Sequence, residues 1–501
     1  MTETTSTKNL VLIITTTVYS FSSMISAFFM LGSRSLLWLL ISAFCYFIPY
    51  ALIVAQYTKK YSHKSGSIYI WLKDSLSPRS AFITIFLWYC SYFIWMISLF
   101  MKVLIPLSIL LFGKDITTTI DWFGIPSNVW LALFSIIAVA FITWINQRGF
   151  HVIFTLLRVS GYLMVGLLLL SFIGNFALIS KNPDQVLLNL HHSFSIDSFF
   201  SNSSSRLLSQ LPFFIFSITA FGGLDTVASL ADKTKNSRSI FPRSIIVSAL
   251  FIFLLYVFGI ILWSGANDIE RIRDIQSLNL GNLMYGVMDH LARSLAETFH
   301  FTSNQAYLIR QIFIRFTAIT MGSAYISLLC SISYGPLTSL IESIPKKAYP
   351  KLFKLNKNQM PETVLWIQGV SISCCIVFLS LNNNFFSDLF NQLTYMTNVS
   401  RAIPYFVVAA SFPLFLKKGI INKQALLVKN LLLNYLFSMS VCVCIFVAIS
   451  FQIYEPLKLG NYLNFFTLLL GPTLFSLLAS IIYFRMEQKK GLVTVGEKNK
   501  N

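Results

Sequence analysis

The sequence predicts an all-α polytopic membrane protein with 12 transmembrane helices. Three observations lead there. Hydrophobic residues make up 55% of the chain and charged residues only 11%, whereas a soluble protein carries about 25% charged residues. The mean hydropathy is +0.68 over 501 residues, more apolar surface than one soluble core can hide. Lys and Arg concentrate in alternate loops between the apolar runs.

A helical span needs about 20 mostly apolar residues. Twelve runs qualify: 10–31, 35–57, 80–111, 127–146, 150–178, 207–230, 242–265, 308–334, 361–381, 386–412, 427–451 and 462–484. The tail 1–9 carries only Glu3 and Lys8 as charges, and no small-residue cleavage site follows the first run, so that run is read as retained. Spans one to five occupy 10–178. The third is longer than one crossing requires and should tilt or project. Between spans two and three, Ile68, Leu72 and Leu76 recur every four residues, which predicts a short helix on the inner interface with Tyr69 and Trp71 as anchors. Spans six to ten occupy 207–412. In the outer loop 267–307, "LMYGVMDHLARSLAETF" is amphipathic and reads either as a lid or as a packed surface helix. Arg310 and Arg315 fringe the eighth run, so eleven and thirteen spans are the alternative counts. Spans eleven and twelve occupy 427–484, and 485–501 forms a tail.

With both termini cytoplasmic, the inner segments hold twenty-five Lys and Arg and the outer segments eight. That asymmetry accounts for the formal net charge of +19 through topology and anionic lipid at the inner face, without nucleic acid. The expected location is a bacterial plasma (inner) membrane. All seven cysteines (Cys45, Cys90, Cys330, Cys374, Cys375, Cys442, Cys444) lie in apolar runs, where packed or lipid-facing thiols are the simplest reading. His191–His192 reads as a solvated loop face. No phosphate-cradling glycine loop, nucleophile elbow, zinc motif or carboxylate pair appears, so neither cofactor nor metal is expected.

The acids discriminate further. Asp225 alone lies well inside a predicted span, within "ITAFGGLDTVASL" (218–230), while Asp388 is near the start of the tenth. A charge at that depth costs about 2.5–3.5 kcal/mol on insertion scales and by default marks a transport path. Two readings of Asp225 stand together: a cap on the N–H groups of Thr226 to Ala228 after a break at Gly222–Gly223, and a group coupled to substrate or proton. The glycines likewise read as close packing, a kink, or unwound backbone lining a cavity. Such backbone receives a zwitterion, with half-helix N-termini suiting a carboxylate and free carbonyls an ammonium. The partner break falls in "VYSFSSMISAF" (18–28), where Ser20, Ser22, Ser23 and Ser26 interrupt the first run. Lys102, Arg158 and Arg401 are read as snorkelling or paired. Tyr89, Tyr92, Trp95, Tyr325 and Tyr395 are read as pocket walls or as helix packing.

"FGGLDTVASLADKTKNSRSIFPRSI" (221–245) resembles the sixth-span signature of the amino acid–polyamine–organocation superfamily, with Gly223, Asp225, Asp232, Lys235, Asn236, Pro242 and Arg243 at matching places. "YSHKSGSIYIWLKDSLSPRSAF" (61–82) resembles the family's loop between spans two and three. "SPRSAFITIFLWYCSYFIWMISLFMKVLIPLS" and "LFNQLTYMTNVSRAIPYF" are similar to its glutamate/γ-aminobutyrate antiporter branch, especially YjeM-type members. The resemblance spans roughly residues 8–485. It implies a LeuT-type fold with 5+5 inverted repeats plus two helices, and a substrate between the broken first and sixth spans. Carried over by position, the backbone around Ser22 and Ser23 receives a carboxylate and the carbonyls of Phe221, Gly222 and Gly223 an ammonium. The chain departs from the family pattern in carrying Asp225 where Glu is common, Ser67 for a loop glycine, and no glycine at the first-span break.

The resulting expectation is a secondary transporter of an amino acid or related amine working by alternating access, as an exchanger or a proton-coupled symporter. Its expected substrate-binding residues are Ser22, Ser23, Phe221, Gly222, Gly223, Asp225, Tyr92 and Tyr325, with Asp225 the coupling candidate. A polytopic membrane enzyme would need clustered acids or metal ligands, a channel would need rings of charge, and a non-transporting sensor would often append a soluble domain. Nothing in the sequence sets the oligomeric state.

Overall fold

A computed structural model describes residues 7–498 except 63, 65, 66, 118, 120, 121, 182, 184, 185, 187–211, 229, 230, 232, 233, 235, 236, 268, 274–280, 346–353, 359, 381–385 and 422. The described chain is helical, apart from one isolated bridge between Trp122 and Ile125. His191–His192, Asp232, Lys235 and Asn236 lie outside the described residues, as do the side chains of Asp388 and Tyr395.

The helices are α1 (Thr7–Val18), α2 (Phe21–Leu31), α3 (Ser35–Ser42), α4 (Ile48–Tyr61), α5 (Ser67–Ser75), α6 (Pro78–Lys102), α7 (Leu104–Phe112), α8 (Ser127–Gln147) and α9 (Phe150–Lys181). After them come α10 (Pro212–Ala220), α11 (Leu224–Ala228), α12 (Ser237–Ala266), α13 (Ile269–Arg273), α14 (Leu283–Thr298) and α15 (Ser303–Glu342). The last four are α16 (Glu362–Ser380), α17 (Phe386–Lys417), α18 (Leu431–Lys458) and α19 (Tyr462–Lys498). Ten helical segments among the described residues are long and apolar enough to cross a membrane. Two shorter apolar pieces, Thr7–Val18 and Phe213–Ala228, fall where the first and sixth spans are expected.

Local chemistry explains the irregularities. The third run bends where α6 passes into α7, because Pro106 cannot donate to the Lys102 carbonyl. A π-turn over Ala43–Phe47 precedes Pro49 for the same reason. The Cys45 carbonyl that Pro49 leaves unpaired accepts the Ser440 hydroxyl at 2.7 Å. This turn rotates Tyr46, Phe47 and Tyr50 into the protein, where all three are buried.

Helix α12 lies along α4 and α1, α15 along α9 and α6, and α17 along α6 and α18. Leu432, Leu436, Met439, Val443 and Phe446 are exposed at helical spacing on α18, as a lipid-facing stripe should be. The interfacial helix forms as α5, but Trp71 is not a lipid anchor. It is 1% exposed and stacks on Tyr57 at 5.1 Å, because the four-residue apolar period faces protein. Helix α19 continues beyond residue 484 to Lys498, since charged residues end a span without ending a helix.

The outer loop folds as an amphipathic helix. Leu283, Val287, Leu291 and Leu295 of α14 are buried, and the helix packs on α15, α9 and α2. Asp289 accepts Arg310 Nε at 2.7 Å and Nη2 at 3.0 Å, and Arg293 also bridges to it. Arg273 donates to the carbonyls of Phe29 and Met30, at 3.0 Å and 2.8 Å through Nη2, and so closes the C-terminal end of α2.

Candidate functional site

The first apolar run breaks between Val18 and Phe21. Ser20 makes the break: its backbone is extended at φ −119° and ψ 112°, and its hydroxyl accepts the Ser23 N–H at 3.2 Å. That is an N-cap, which ends one helix and starts the next. The cap takes up the Ser23 N–H and leaves Phe21 and Ser22 as first-turn donors without intrahelical acceptors.

The sixth run breaks between Ala220 and Leu224. Its two glycines serve different ends. Gly223 has φ +119°, a conformation that L side chains rarely adopt. At Gly222 the constraint is space: an added Cβ would stand 3.1 Å from Tyr405 Oη and 3.3 Å from Arg401 Nη2. One glycine permits the turn, and the other admits helix α17 to the backbone.

The two breaks meet. A Cβ built on Gly223 would lie 3.7 Å from the Val18 side chain. Tyr256 of α12 bridges them: its hydroxyl donates to the Ala220 carbonyl at 3.1 Å and accepts the Ser20 N–H at 3.4 Å. Its ring packs on Tyr19 at 4.9 Å and on Phe221 at 5.0 Å.

The expected site residues divide into two groups around this junction. Ser22 lies beside Tyr325 and Ser23 beside Tyr256, on the side of the first break. Phe221 sits at the junction, stacked on Phe47 at 4.5 Å. On the far side Asp225 is 0% exposed and occupies the first turn of α11. Its Oδ2 accepts the Trp88 indole N–H at 2.6 Å, while Oδ1 is buried without a hydrogen-bond partner. The backbone amides of Asp225 and Thr226 stand near the carboxylate. Tyr92 accepts the Thr226 hydroxyl at 2.8 Å and lies 3.5 Å from the Tyr405 hydroxyl. Tyr92 therefore stands by the sixth-run break and Tyr325 by the first.

Several residues of this junction escaped the sequence reading: Trp88, Tyr256, Tyr405, Tyr46 and Tyr50. Each is one aromatic residue in an aromatic-rich apolar run. Of the two sequence readings of Arg401, snorkelling or pairing, the structure supports pairing. Arg401 does not snorkel: it is 6% exposed, with its guanidinium 4.2 Å over the Trp95 ring and 5.3 Å over that of Tyr92.

Comparison with known proteins agrees with this architecture. A family model described as amino acid permease matches residues 6–475. The chain is 31% identical over 476 residues to the inner membrane transporter YjeM of Salmonella typhimurium, covering 95% of this chain and 94% of that protein. It is 30% identical over 479 residues to the Escherichia coli K12 protein of the same name, with coverage of 95% and 94%. A glutamate/gamma-aminobutyrate antiporter of Lactococcus lactis is 23% identical over 374 residues, covering 74% of this chain and 67% of the antiporter. With an all-helical multi-pass body and a family match along almost its whole length, the chain belongs to the amino acid permease family of membrane transporters.

Proposed function

We propose that this transporter moves an amino acid or related amine by alternating access around the paired breaks of its first and sixth apolar runs. The observation that carries the reading is the Tyr256 bridge, which ties two interrupted helices together beside a buried carboxylate. Irregular backbone is tolerated at membrane depth where it lines a cavity or is buried in protein. Thr7–Val18 joined to the Phe21–Leu31 part of the first long segment makes one crossing and Phe213–Ala228 another, so that the reading has twelve crossings, arranged as a LeuT-type repeat of 10–178 and 207–412 with two further helices in 427–484. Both termini then lie in the cytoplasm, as the Lys and Arg distribution supports.

In this reading the α2 N-terminus around Ser22 and Ser23 receives the substrate carboxylate. The carbonyls of Phe221, Gly222 and Gly223 receive its ammonium, while Tyr325 and Tyr92 wall the two sides. Asp225 is the coupling group, with one oxygen held by Trp88 and the other open to a proton or a substrate N–H. The glutamate/gamma-aminobutyrate antiporter among its relatives favours exchange over symport. Uptake and counterflow in proteoliposomes against a panel of amino acids and amines, with and without a pH gradient, tests the reading. Saturable counterflow of at least one substrate is expected, and its absence across the panel sinks the proposal.

A further inference from the structure

The side of the junction facing α17 carries more buried polar capacity than the coupling role uses. Four polar atoms there are buried without hydrogen-bond partners: Tyr46 Oη, Tyr50 Oη, Asp225 Oδ1 and Arg401 Nε. Tyr46, Tyr92 and Tyr405 each lie within electrostatic reach of both Asp225 and Arg401. The rings close the enclosure, with Tyr46 on Tyr50 at 5.6 Å and Tyr50 against Tyr405 at 5.4 Å. Buried polar groups are almost always bonded, so a cluster of orphans at one place points to a polar ligand.

The sign of that ligand follows from Arg401. Trp95 and Tyr92 fix its plane from the ring faces, and Gly222 lets Nη2 approach the break. Among the described residues the close ion pairs belong to Asp289, so Asp225 does not neutralise Arg401 by direct contact. A guanidinium held flat, hydrogen-bonded to Tyr405 and with its Nε unpaired, matches a carboxylate. The same fixed cation repels a positive charge carried at the far end of a substrate side chain.

We infer that Arg401 with Tyr46, Tyr50 and Tyr405 forms an anion subsite for the distal carboxylate of the substrate. The transporter thereby selects amino acids with a second carboxylate over their neutral amides, and over diamines and cationic amino acids. This inference rests on the transport reading above, and it makes Arg401 the specificity-determining residue. A charge-assisted carboxylate contact is stronger than a neutral one by about tenfold in affinity.

The test is competition in proteoliposome counterflow with glutamate, glutamine, lysine and agmatine as unlabelled competitors. For the wild type, glutamate should outcompete glutamine by about tenfold, and lysine and agmatine should compete poorly. In Arg401→Gln the glutamate preference over glutamine should vanish while glutamine counterflow persists. In Arg401→Lys part of the preference should return. Wild-type counterflow with no preference for the dicarboxylate overturns the inference and leaves the transport reading intact. So does an unchanged preference in Arg401→Gln. Loss of all counterflow in the wild type defeats the transport reading instead. Should Arg401→Gln fail to fold, the wild-type competition order decides alone.

Discussion

Replacing Tyr256 with Phe tests the junction at its narrowest point. The hydroxyl makes a good hydrogen bond to the Ala220 carbonyl at 3.1 Å and a longer one from the Ser20 N–H at 3.4 Å, and it also bonds the Ser23 side chain. Tyr256 is 0% exposed, so no water replaces what is lost. Phenylalanine retains the ring contacts with Tyr19 and Phe221, which confines the change to the hydroxyl. A net hydrogen bond contributes about 0.5–1.5 kcal/mol, and a stranded buried partner costs about 1–3 kcal/mol. With the long bond at the weak end, the conformation with both breaks apposed loses about 2–3 kcal/mol. That corresponds to a population change of about 30-fold to about 150-fold between access states. The assay is the initial counterflow rate against substrate concentration, with detergent-solubilised monodispersity as the folding control. Tyr256→Phe should shift maximal rate or apparent affinity by about tenfold or more and remain monodisperse. Tyr435→Phe, at a position 39% exposed, should match the wild type. Wild-type kinetics in Tyr256→Phe would refute the claim that this hydroxyl couples the two breaks.

Gly223→Ala forces a side chain into φ +119°, where strain of about 1–3 kcal/mol is expected. It should lower thermal stability and transport together, and an unaffected variant would mean that the break relaxes freely. Asp225→Asn keeps an acceptor for Trp88 and removes the titrating oxygen, so the pH dependence of transport should flatten. An unchanged pH profile with reduced thermal stability would make Asp225 a structural cap alone. Asp289→Asn weakens partly exposed ion pairs, with side-chain exposures of 15% for Asp289 and 33% for Arg310, so the cost should stay near or below about 1 kcal/mol. Proteolysis of the outer loop 267–307 should nevertheless speed up, and identical cleavage rates would show that Asp289 does not hold α14 down.

Much of this architecture was legible because a bilayer demands long apolar runs, and runs are visible in sequence. The break at Gly222–Gly223 was legible for a backbone reason, since glycine permits what Gly223 does at φ +119°. The first break was located less sharply. Four serines marked it, and only the geometry singles out Ser20 as the cap, two residues before Ser22. Aromatic partners were invisible for a different reason. Tyr256, Trp88 and Tyr405 look like the many other rings of an apolar chain, and their roles arise from long-range contacts. Trp71 shows the opposite error: an amphipathic period reveals that one face is apolar, and not whether lipid or protein covers it. Arg401 was visible as an intramembrane charge, but its stacking on Trp95 and its approach to Gly222 join residues far apart in sequence.

The central claim is that the substrate binds where the two breaks meet. Determining the structure with a transported amino acid bound addresses it most directly. The account predicts the carboxylate within hydrogen-bond distance of the α2 N-terminus at Phe21–Ser23 and the ammonium at the carbonyls of Phe221–Gly223. A ligand lodged elsewhere, with the Tyr256 junction intact and empty, would contradict it.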